Sequence, residues 1–253
     1  MKKSMWWLLG LLAYLLFMLV LTPASLWLKL VTLPADLQLG PVTGTLWQGQ
    51  VAGVQQAPFY LPQLSWQLQP SLLWRGKLGL KLQGGNLRDA SLPYLAVQAE
   101  LGLGQVLLQQ STIRLPVAPI MSQLQLPMPV DASGAIVLNL QQFELGQPYC
   151  TELVGTASWQ QAKFKAPTGW IDLQAIDSTL SCDNGNLSLT TKADNPLGLL
   201  VKADVLQGSY QIAGTLKPAA SMPKEVHQAM QFVGQPDAEG RFPLKLQGRI
   251  GGQ

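Results

Sequence analysis

Apolar residues recur at every second position in many short segments from Val42 onward, which is the pattern of half-buried β-strands. The alternation slips by one position after Leu140 and resumes at Phe143, and such a slip predicts a β-bulge. The sequence therefore predicts a mainly β fold built on a curved antiparallel β-sheet. The predicted strands lie at positions 64–68, 78–82, 97–103, 136–140, 171–175, 210–216 and 242–250.

Local signals mark one turn and one helix within this β-rich region. Asn184-Gly185 is the dipeptide favoured by type I′ hairpin turns, so it predicts a hairpin with Cys182 at its base. Residues 223–233 predict a short helix, with Ser221 as its N-cap and Gly234 as its end. The remainder of the region predicts antiparallel strands and turns.

The N-terminus carries a long apolar segment. Between Lys3 and Lys29 lie 25 consecutive uncharged residues, dominated by Leu, Trp, Phe, Met and Val. The segment predicts a transmembrane helix over residues 5–28, because a helix of that length reaches across a hydrocarbon core of about 30 Å. Lys2 and Lys3 then place residues 1–4 in the cytoplasm by the positive-inside rule. Residues 34–253 are predicted to form a β-rich domain on the other side of the membrane.

A cleaved signal peptide is the competing interpretation of this segment. Thr22-Pro23-Ala24 is followed by Ser25, and small residues mark cleavage sites. However, the apolar stretch exceeds the usual apolar region of about 7 to 15 residues, and Pro23 is an awkward neighbour for a cleavage site. The retained helix is therefore the favoured interpretation.

Charged residues make up 12% of the chain, against roughly 25% in an ordinary soluble domain. The net charge is +3, and no run of three basic residues occurs, so the sequence predicts no nucleic-acid partner. One His, two Cys and 14 carboxylates leave few groups for acid-base or metal chemistry. The sequence therefore predicts a protein that is not an enzyme and that needs no cofactor or metal.

The two cysteines, Cys150 and Cys182, are separated by 32 positions in the part predicted to lie outside the cytoplasm. In an oxidising compartment such a pair predicts a disulfide, which stabilises a protein by about 3 to 4 kcal/mol in the chain-entropy model. Two free thiols remain the alternative. A metal site is less favoured, because no nearby His or further Cys supplies ligands.

A weak catalytic signal lies at Ser221 and Lys224, whose spacing matches Ser-x-x-Lys and would place a hydroxyl beside an amine. The companion motifs of that enzyme class are missing, and capping the predicted helix is the favoured role of Ser221. A hydrolase that uses these two residues is therefore a weak hypothesis.

Tryptophans are spread over the β-rich sequence, and many of the polar positions between apolar ones are Gln. An exposed apolar sheet face would bind acyl chains, a hydrophobic peptide or the edge of a partner's strand. The alternative is the ordinary core of a β-sandwich, and the sequence favours this second interpretation. The tryptophans concerned are Trp47, Trp66, Trp74, Trp159 and Trp170.

Several features occur together in one order along the chain. The basic start and apolar segment are followed by Gly44-Thr45-Leu46-Trp47-Gln48-Gly49, by Leu72-Leu73-Trp74-Arg75-Gly76 and by a β-rich remainder with two cysteines. In this combination the chain resembles, over essentially its whole length, the protein N family of the bacterial type II secretion system. The resemblance implies an inner-membrane accessory of the machine that moves folded proteins from the periplasm across the outer membrane.

The resemblance also implies a periplasmic domain similar to the AsmA-type groove proteins, and it carries over no catalytic motif. Gly44, Thr45, Trp47, Gly49 and Trp74 are candidate interaction residues. A strand entering a turn, with Trp47 buried, explains the first four equally well.

Two functions follow as hypotheses. The first is a non-enzymatic scaffold of the secretion system, with other secretion proteins and the inner membrane as its partners. The alternative is an AsmA-like protein that binds or transfers lipid in an apolar groove. A periplasmic location of the bulk of the chain is common to both.

Overall fold

The computed structural model describes residues 2–28, 34, 36–121, 131–166 and 168–249, so the outer limits of the predicted segments, residues 1 and 250–253, lie outside the described residues. Strands dominate the described part, which confirms the predicted mainly β fold. In chain order they are β1 (Leu37–Leu39), β2 (Val42–Gly44), β3 (Gln48–Val51), β4 (Val54–Gln56), β5 (Phe59–Leu61), β6 (Leu64–Gln69), β7 (Leu78–Gly84), β8 (Tyr94–Leu101), β9 (Val106–Pro116), β10 (Ala132–Leu145), β11 (Cys150–Ala166), β12 (Gly169–Asp183), β13 (Asn186–Thr191), β14 (Leu200–Leu206), β15 (Ser209–Leu216) and β16 (Phe242–Arg249).

Thirteen of the described strands form one antiparallel sheet in the order β16-β15-β14-β13-β12-β11-β10-β9-β8-β7-β6-β3-β2. The other three form a small sheet in the order β1-β4-β5. Backbone hydrogen bonds from Gly40 to Gly53 and from Ala52 to Pro41 join the two sheets at a corner. Among the described strands, β2 and β16 are the two edges of the large sheet.

The predicted irregularities lie where the sequence placed them. The pairing of β10 with β11 shifts register between Leu140 and Gln142, which confirms the predicted bulge. At the predicted hairpin turn both Asn184 (φ 50°) and Gly185 (φ 84°) adopt the positive φ that a type I′ turn requires.

One predicted strand is too long. The alternation predicts a strand to Leu103, but β8 ends at Leu101 and Leu103 lies in the turn to β9. Gly102 donates its backbone N–H to the carbonyl of Gln105, which closes the turn. Gly104, with φ of 76°, supplies the left-handed conformation that most residues avoid.

The helices are α1 (Lys2–Leu21), α2 (Ala24–Leu28), a 3₁₀ helix (Pro70–Arg75), α3 (Val117–Met121) and α4 (Lys224–Val233). The sequence predicts one continuous helix over 5–28, and this prediction is wrong, because α1 ends at Leu21 and a separate helix, α2, begins at Ala24. Pro23 explains the break, because proline lacks a backbone N–H and its ring clashes with the preceding turn. The β-rich region also holds more than the one short helix that the sequence predicts.

A search of the described residues for a helix both long and apolar enough to cross a membrane finds none. The membrane span predicted from the sequence thus stays a prediction. The side chains of Lys2 and Lys3, from which its orientation was predicted, lie outside the described part of the chain.

The helix α4 ends before Gly234 as predicted, but the predicted N-cap is wrong. Pro223 occupies the N-cap position and makes no side-chain capping bond. Ser221 lies two residues too early to cap, in a turn where Met222 donates its backbone N–H to the carbonyl of Ala219.

The main hydrophobic core lies where α4 meets the apolar face of β11 and β12. Val226 of α4 is 2% exposed and Leu173 of β12 is also 2% exposed. The buried members of this core cluster are Ala162, Ile171, Leu173, Ile176 and Val226, with Trp159, Phe164, Ala166, Leu197, Leu199 and Met222 packed around them.

Across β6 to β9 the apolar residues form rows of cross-strand pairs that are only half-buried. In one row, Trp66 of β6 pairs with Leu82 of β7, which pairs in turn with Val97 of β8. In the next row, Leu68 of β6 pairs with Leu80 of β7. The half-buried apolar side chains of these four strands include Leu64, Trp66, Leu68, Leu80, Leu82, Leu95, Val97, Leu101, Leu108 and Ile113.

Candidate interaction site

The segment 44–49 forms the hairpin that joins β2 to β3. Gly44 pairs with Gly49 across the hairpin, and the N–H of Thr45 donates to the carbonyl of Gln48 at 2.8 Å. Gly44 has φ of 96°, and a Cβ there would lie 2.5 Å from the Gln48 carbonyl oxygen. Turn geometry therefore requires glycine at this first position of the segment.

The second glycine is required by a tryptophan on the neighbouring strand. Gly49 pairs with Trp66 of β6, and a Cβ on Gly49 would collide with the indole ring and lie 2.5 Å from the carbonyl oxygen of Thr43. The Trp66 Nε1–H donates to the carbonyl of Leu46 at 3.0 Å, which ties the ring to the hairpin turn. Trp66 thus completes the site, although the sequence predicted it as a strand residue on an apolar face and not among the candidate interaction residues.

Trp47 lies in the turn and is half-buried, in agreement with the interpretation of the segment as a strand entering a turn. Its carbonyl accepts a hydrogen bond of 2.7 Å from the N–H of Leu68 in β6. Its indole N–H is buried and has no hydrogen-bond partner among the described residues. The hairpin is therefore fixed to β6 by its backbone, while one donor stays unused.

A polar cleft of about 500 Å³ opens beside the hairpin on β2, β3, β6 and β7. Gln50 on its wall accepts a hydrogen bond of 2.9 Å from the Gln63 side-chain amide. Amide and hydroxyl groups both donate and accept hydrogen bonds, so this lining suits an extended peptide better than an acyl chain. The cleft is lined by Thr43, Gly44, Gln48, Gly49, Gln50, Ser65, Trp66, Gln67, Lys81 and Gln83.

Trp74, the fifth candidate residue, lies outside the cleft, on the 3₁₀ helix between β6 and β7. Its side chain is 94% exposed, and the adjacent Leu73 is 52% exposed. Gly76 ends the helix in the left-handed conformation, with φ of 68°. The structure therefore groups four of the predicted residues and separates the fifth from them.

The cysteines form the predicted disulfide, with an S–S distance of 2.06 Å between Cys150 and Cys182. The bond joins the first residue of β11 to the end of β12. Cys150 is 1% exposed. The disulfide therefore fastens the strand pair that carries the main core.

Ser221 and Lys224, which suggested a hydrolase, are both exposed. No hydrogen bond joins their side chains in the part of the chain that the structure describes. Within that part, no group of three His, Cys, Asp or Glu side chains is placed to hold a metal ion.

The sequence model of one protein family, "Type II secretion system (T2SS), protein N", matches residues 35–245 of the chain. A protein named type II secretion system protein N from Aeromonas hydrophila is 35% identical over 246 residues, which cover 95% of this chain and 96% of that protein. The protein of the same name from Vibrio cholerae is 30% identical and covers 90% of this chain and 91% of its own length. The protein of that name from Klebsiella pneumoniae is also 30% identical, and the aligned residues cover 93% of this chain and 91% of that protein.

No solved structure was found to match the chain. The family match extends from the small sheet to the last strand, and it includes the hairpin, the 3₁₀ helix and both cysteines. The chain belongs to the type II secretion system protein N family.

Proposed function

We propose that the chain is a non-enzymatic, inner-membrane component of the type II secretion system, which assists the export of folded periplasmic proteins across the outer membrane. One observation carries the proposal: relatives named for this system align with the chain along nine-tenths or more of both lengths. The bulk of the chain, including the large sheet, then lies in the periplasm. An oxidising periplasm also accounts for the disulfide between Cys150 and Cys182.

The N-terminal segment is proposed to anchor the sheet in the inner membrane with its N-terminus in the cytoplasm. Apolar side chains of α1 are exposed on all sides of the helix, from Trp6 (72%) to Leu21 (55%), and the described α1 side chains carry no charge. A helix that is apolar all round needs an apolar environment. Holding the sheet near the membrane raises the effective concentration of partners that share it.

Docking of another secretion protein is proposed at the polar cleft and the adjacent edge strand β2. Among the described strands β2 pairs only with β3. Pro23 bridges to Thr45 at the end of β2 and α2 contacts this strand, so an added strand is proposed to pair with the part of the outer edge around Val42. Gln50 of β3, Gln67 of β6 and Gln83 of β7 line the cleft and would supply side-chain hydrogen bonds to the docked segment. The hairpin and Trp66 keep this edge in one conformation.

The test combines a secretion assay with cross-linking in cells. Deleting the gene is expected to stop secretion of a type II cargo, and expressing the full chain is expected to restore it. A photo-reactive residue at Gln67, in the cleft, is expected to capture another protein of the secretion system. The matched control is Gln98, exposed on β8 outside the cleft, where we expect no capture.

Unchanged secretion in the deletion strain would contradict the proposed function. Capture from Gln98 but not from Gln67 would contradict the proposed docking site while leaving the function in place. Normal secretion by the double variant Ser221→Ala, Lys224→Ala would remove the hydrolase hypothesis.

Lipid binding is the second candidate, and the half-buried apolar rows of β6 to β9 are the observation that supports it. The relatives' names do not favour it. Native mass spectrometry of the full chain distinguishes the two functions, because a groove protein co-purifies with phospholipid that delipidation removes. A lipid-free chain bound to a secretion protein would leave docking as the function.

A further inference from the structure

Three strongly exposed apolar side chains lie on loops at the end of the large sheet where β6 ends and β7 begins. Trp74 is 94% exposed and Leu73 is 52% exposed on the 3₁₀ helix between β6 and β7. Leu103, at the tip of the turn between β8 and β9, is 99% exposed. Neither loop covers these side chains with its own residues. Large apolar groups presented at loop tips indicate contact with something outside the chain.

The strand register places these loops at the end of the sheet where α1 joins it. Gln48 pairs with Gln67, and Leu78 pairs with Leu101, so the β2–β3 turn, the 3₁₀ helix and the β8–β9 turn leave the sheet at the same end. With neighbouring strands about 4.8 Å apart, the three loops extend over roughly 20 Å.

The connection between α1 and this end of the sheet is short. Pro23, two residues after the end of α1, forms a β-bridge with Thr45 in the β2–β3 turn. Ala24, the first residue of α2, is 5% exposed, which shows that α2 is packed rather than free. A membrane that holds α1 therefore lies next to these loops.

The composition of the loops suits a lipid surface. Residues 44–48, 70–77 and 102–105 contain no Asp or Glu. Arg75 is exposed beside Trp74, and the other cation, Lys77, forms an ion pair with Glu100 at 3.0 Å. At a bilayer surface a tryptophan ring occupies the headgroup level, leucine reaches the acyl boundary and arginine meets lipid phosphate.

We propose that Leu73, Trp74 and Leu103 enter the headgroup region of the bilayer that holds α1, so that the sheet has a second contact with the membrane. The inference rests on the proposed anchoring by α1. Two separate contacts fix how the sheet is oriented over the membrane, whereas a single helix leaves the sheet free to tilt. Trp74, predicted as a candidate interaction residue with no partner assigned to it, is here assigned to lipid.

The opposite end of the same strands supplies a matched control. Leu87, in the loop between β7 and β8, is 64% exposed, and this loop carries both Arg88 and Asp89. The two loop ends thus differ in their position relative to α1, and only the β7–β8 loop contains an acidic residue, while both present an exposed leucine. The proposal predicts lipid contact at Leu103 and none at Leu87.

The experiment uses the full chain in vesicles of phosphatidylethanolamine and phosphatidylglycerol. An environment-sensitive fluorophore is attached at Leu73→Cys, Trp74→Cys, Leu103→Cys or Leu87→Cys, and Leu12→Cys in α1 reports the anchor. Cys150 and Cys182 do not compete for the label, because they form the disulfide. We expect blue-shifted emission and quenching by lipid-attached nitroxides at the first three positions, and quenching by aqueous iodide at position 87.

The outcomes separate this inference from the anchor. A lipid-buried label at position 12 with iodide-accessible labels at positions 74 and 103 would overturn the inference and leave the anchor intact. A chain that does not float with the vesicles would overturn both. Labels at positions 74 and 103 that are shielded only in native membranes would assign these side chains to a protein partner, which also overturns the inference.

Discussion

The apolar face of the sheet is covered on β11 and β12 and half-exposed in the region of β6 to β9. In the covered region α4 packs over β11 and β12, and Leu173 is 2% exposed. In the open region the equivalent cross-strand rows, such as Trp66 with Leu82, stay half-buried. The face is continuous between them, since Leu95 pairs with Ile113 and Ile113 with Leu138. The same alternation of apolar and polar residues thus occurs where the apolar face is covered by α4 and where that face is half-exposed.

The two regions also differ in what else they carry. The covered region contains the disulfide. The open region contains the exposed 3₁₀ helix, and the hairpin and the polar cleft lie at its β6 side. The disulfide and the main core thus lie in one region, and the five candidate interaction residues lie outside that region. We therefore expect substitutions in the two regions to separate stability from secretion.

The largest effect is expected from removing the disulfide. Cys150→Ala with Cys182→Ala frees a loop of 32 positions and should lower the free energy of unfolding by about 3 to 4 kcal/mol. Urea unfolding of the full chain measures the loss, and hydrogen exchange locates it. Faster exchange in β11 and β12 than in β7 and β8 is expected. A reductant that leaves the unfolding midpoint of the unaltered chain unchanged would contradict this prediction.

The next prediction compares the loss of stability when one leucine from each region is replaced by alanine. Leu173→Ala removes a fully buried side chain and should lower the free energy of unfolding by about 3 kcal/mol, because it leaves a cavity under α4. Leu82→Ala removes a half-exposed side chain, and we expect a loss of about 1 kcal/mol. Both values come from urea unfolding. Equal losses would show that the open face is covered as tightly as the core.

Local alternation in the sequence predicted seven of the thirteen described strands of the large sheet. The alternation identified the strands around Leu80, Ile136 and Ile212, and the slip at Leu140 identified the bulge. Alternation tells which side chains share a face, but not what covers that face. The packing of α4 on β12 joins residues about 50 positions apart, so no local pattern reports it.

The errors have equally physical causes. The alternation of apolar residues predicted a strand as far as Leu103, although Gly102 and Gly104 lie in the turn that follows β8. The N-cap of α4 was assigned to Ser221, although Pro223 occupies that position. The candidate site was found in part, because Gly44 and Trp47 stand in a short motif. Trp66 was missed as a site residue, since its contact with the hairpin depends on the register between β3 and β6.

The third prediction concerns the hairpin beside the open region and the loss of stability when Gly49 is replaced. Gly49→Ala places a methyl group against the Trp66 ring and the Thr43 carbonyl, so we expect a loss of roughly 1 to 2 kcal/mol from overpacking. The control is Gly102→Ala, whose added Cβ would find its nearest atom at 3.7 Å, an ordinary contact. Urea unfolding and hydrogen exchange of β3 compare the two variants.

The two variants also distinguish stability from docking. If the edge strand β2 is the docking site, Gly49→Ala should reduce cross-linking from Gln67 by more than its small loss of stability explains, because the hairpin that holds β2 is displaced. Leu173→Ala, with the larger loss of stability, should leave the cross-linking of the folded chain unchanged. Equal cross-linking by both variants would show that the hairpin conformation does not govern docking.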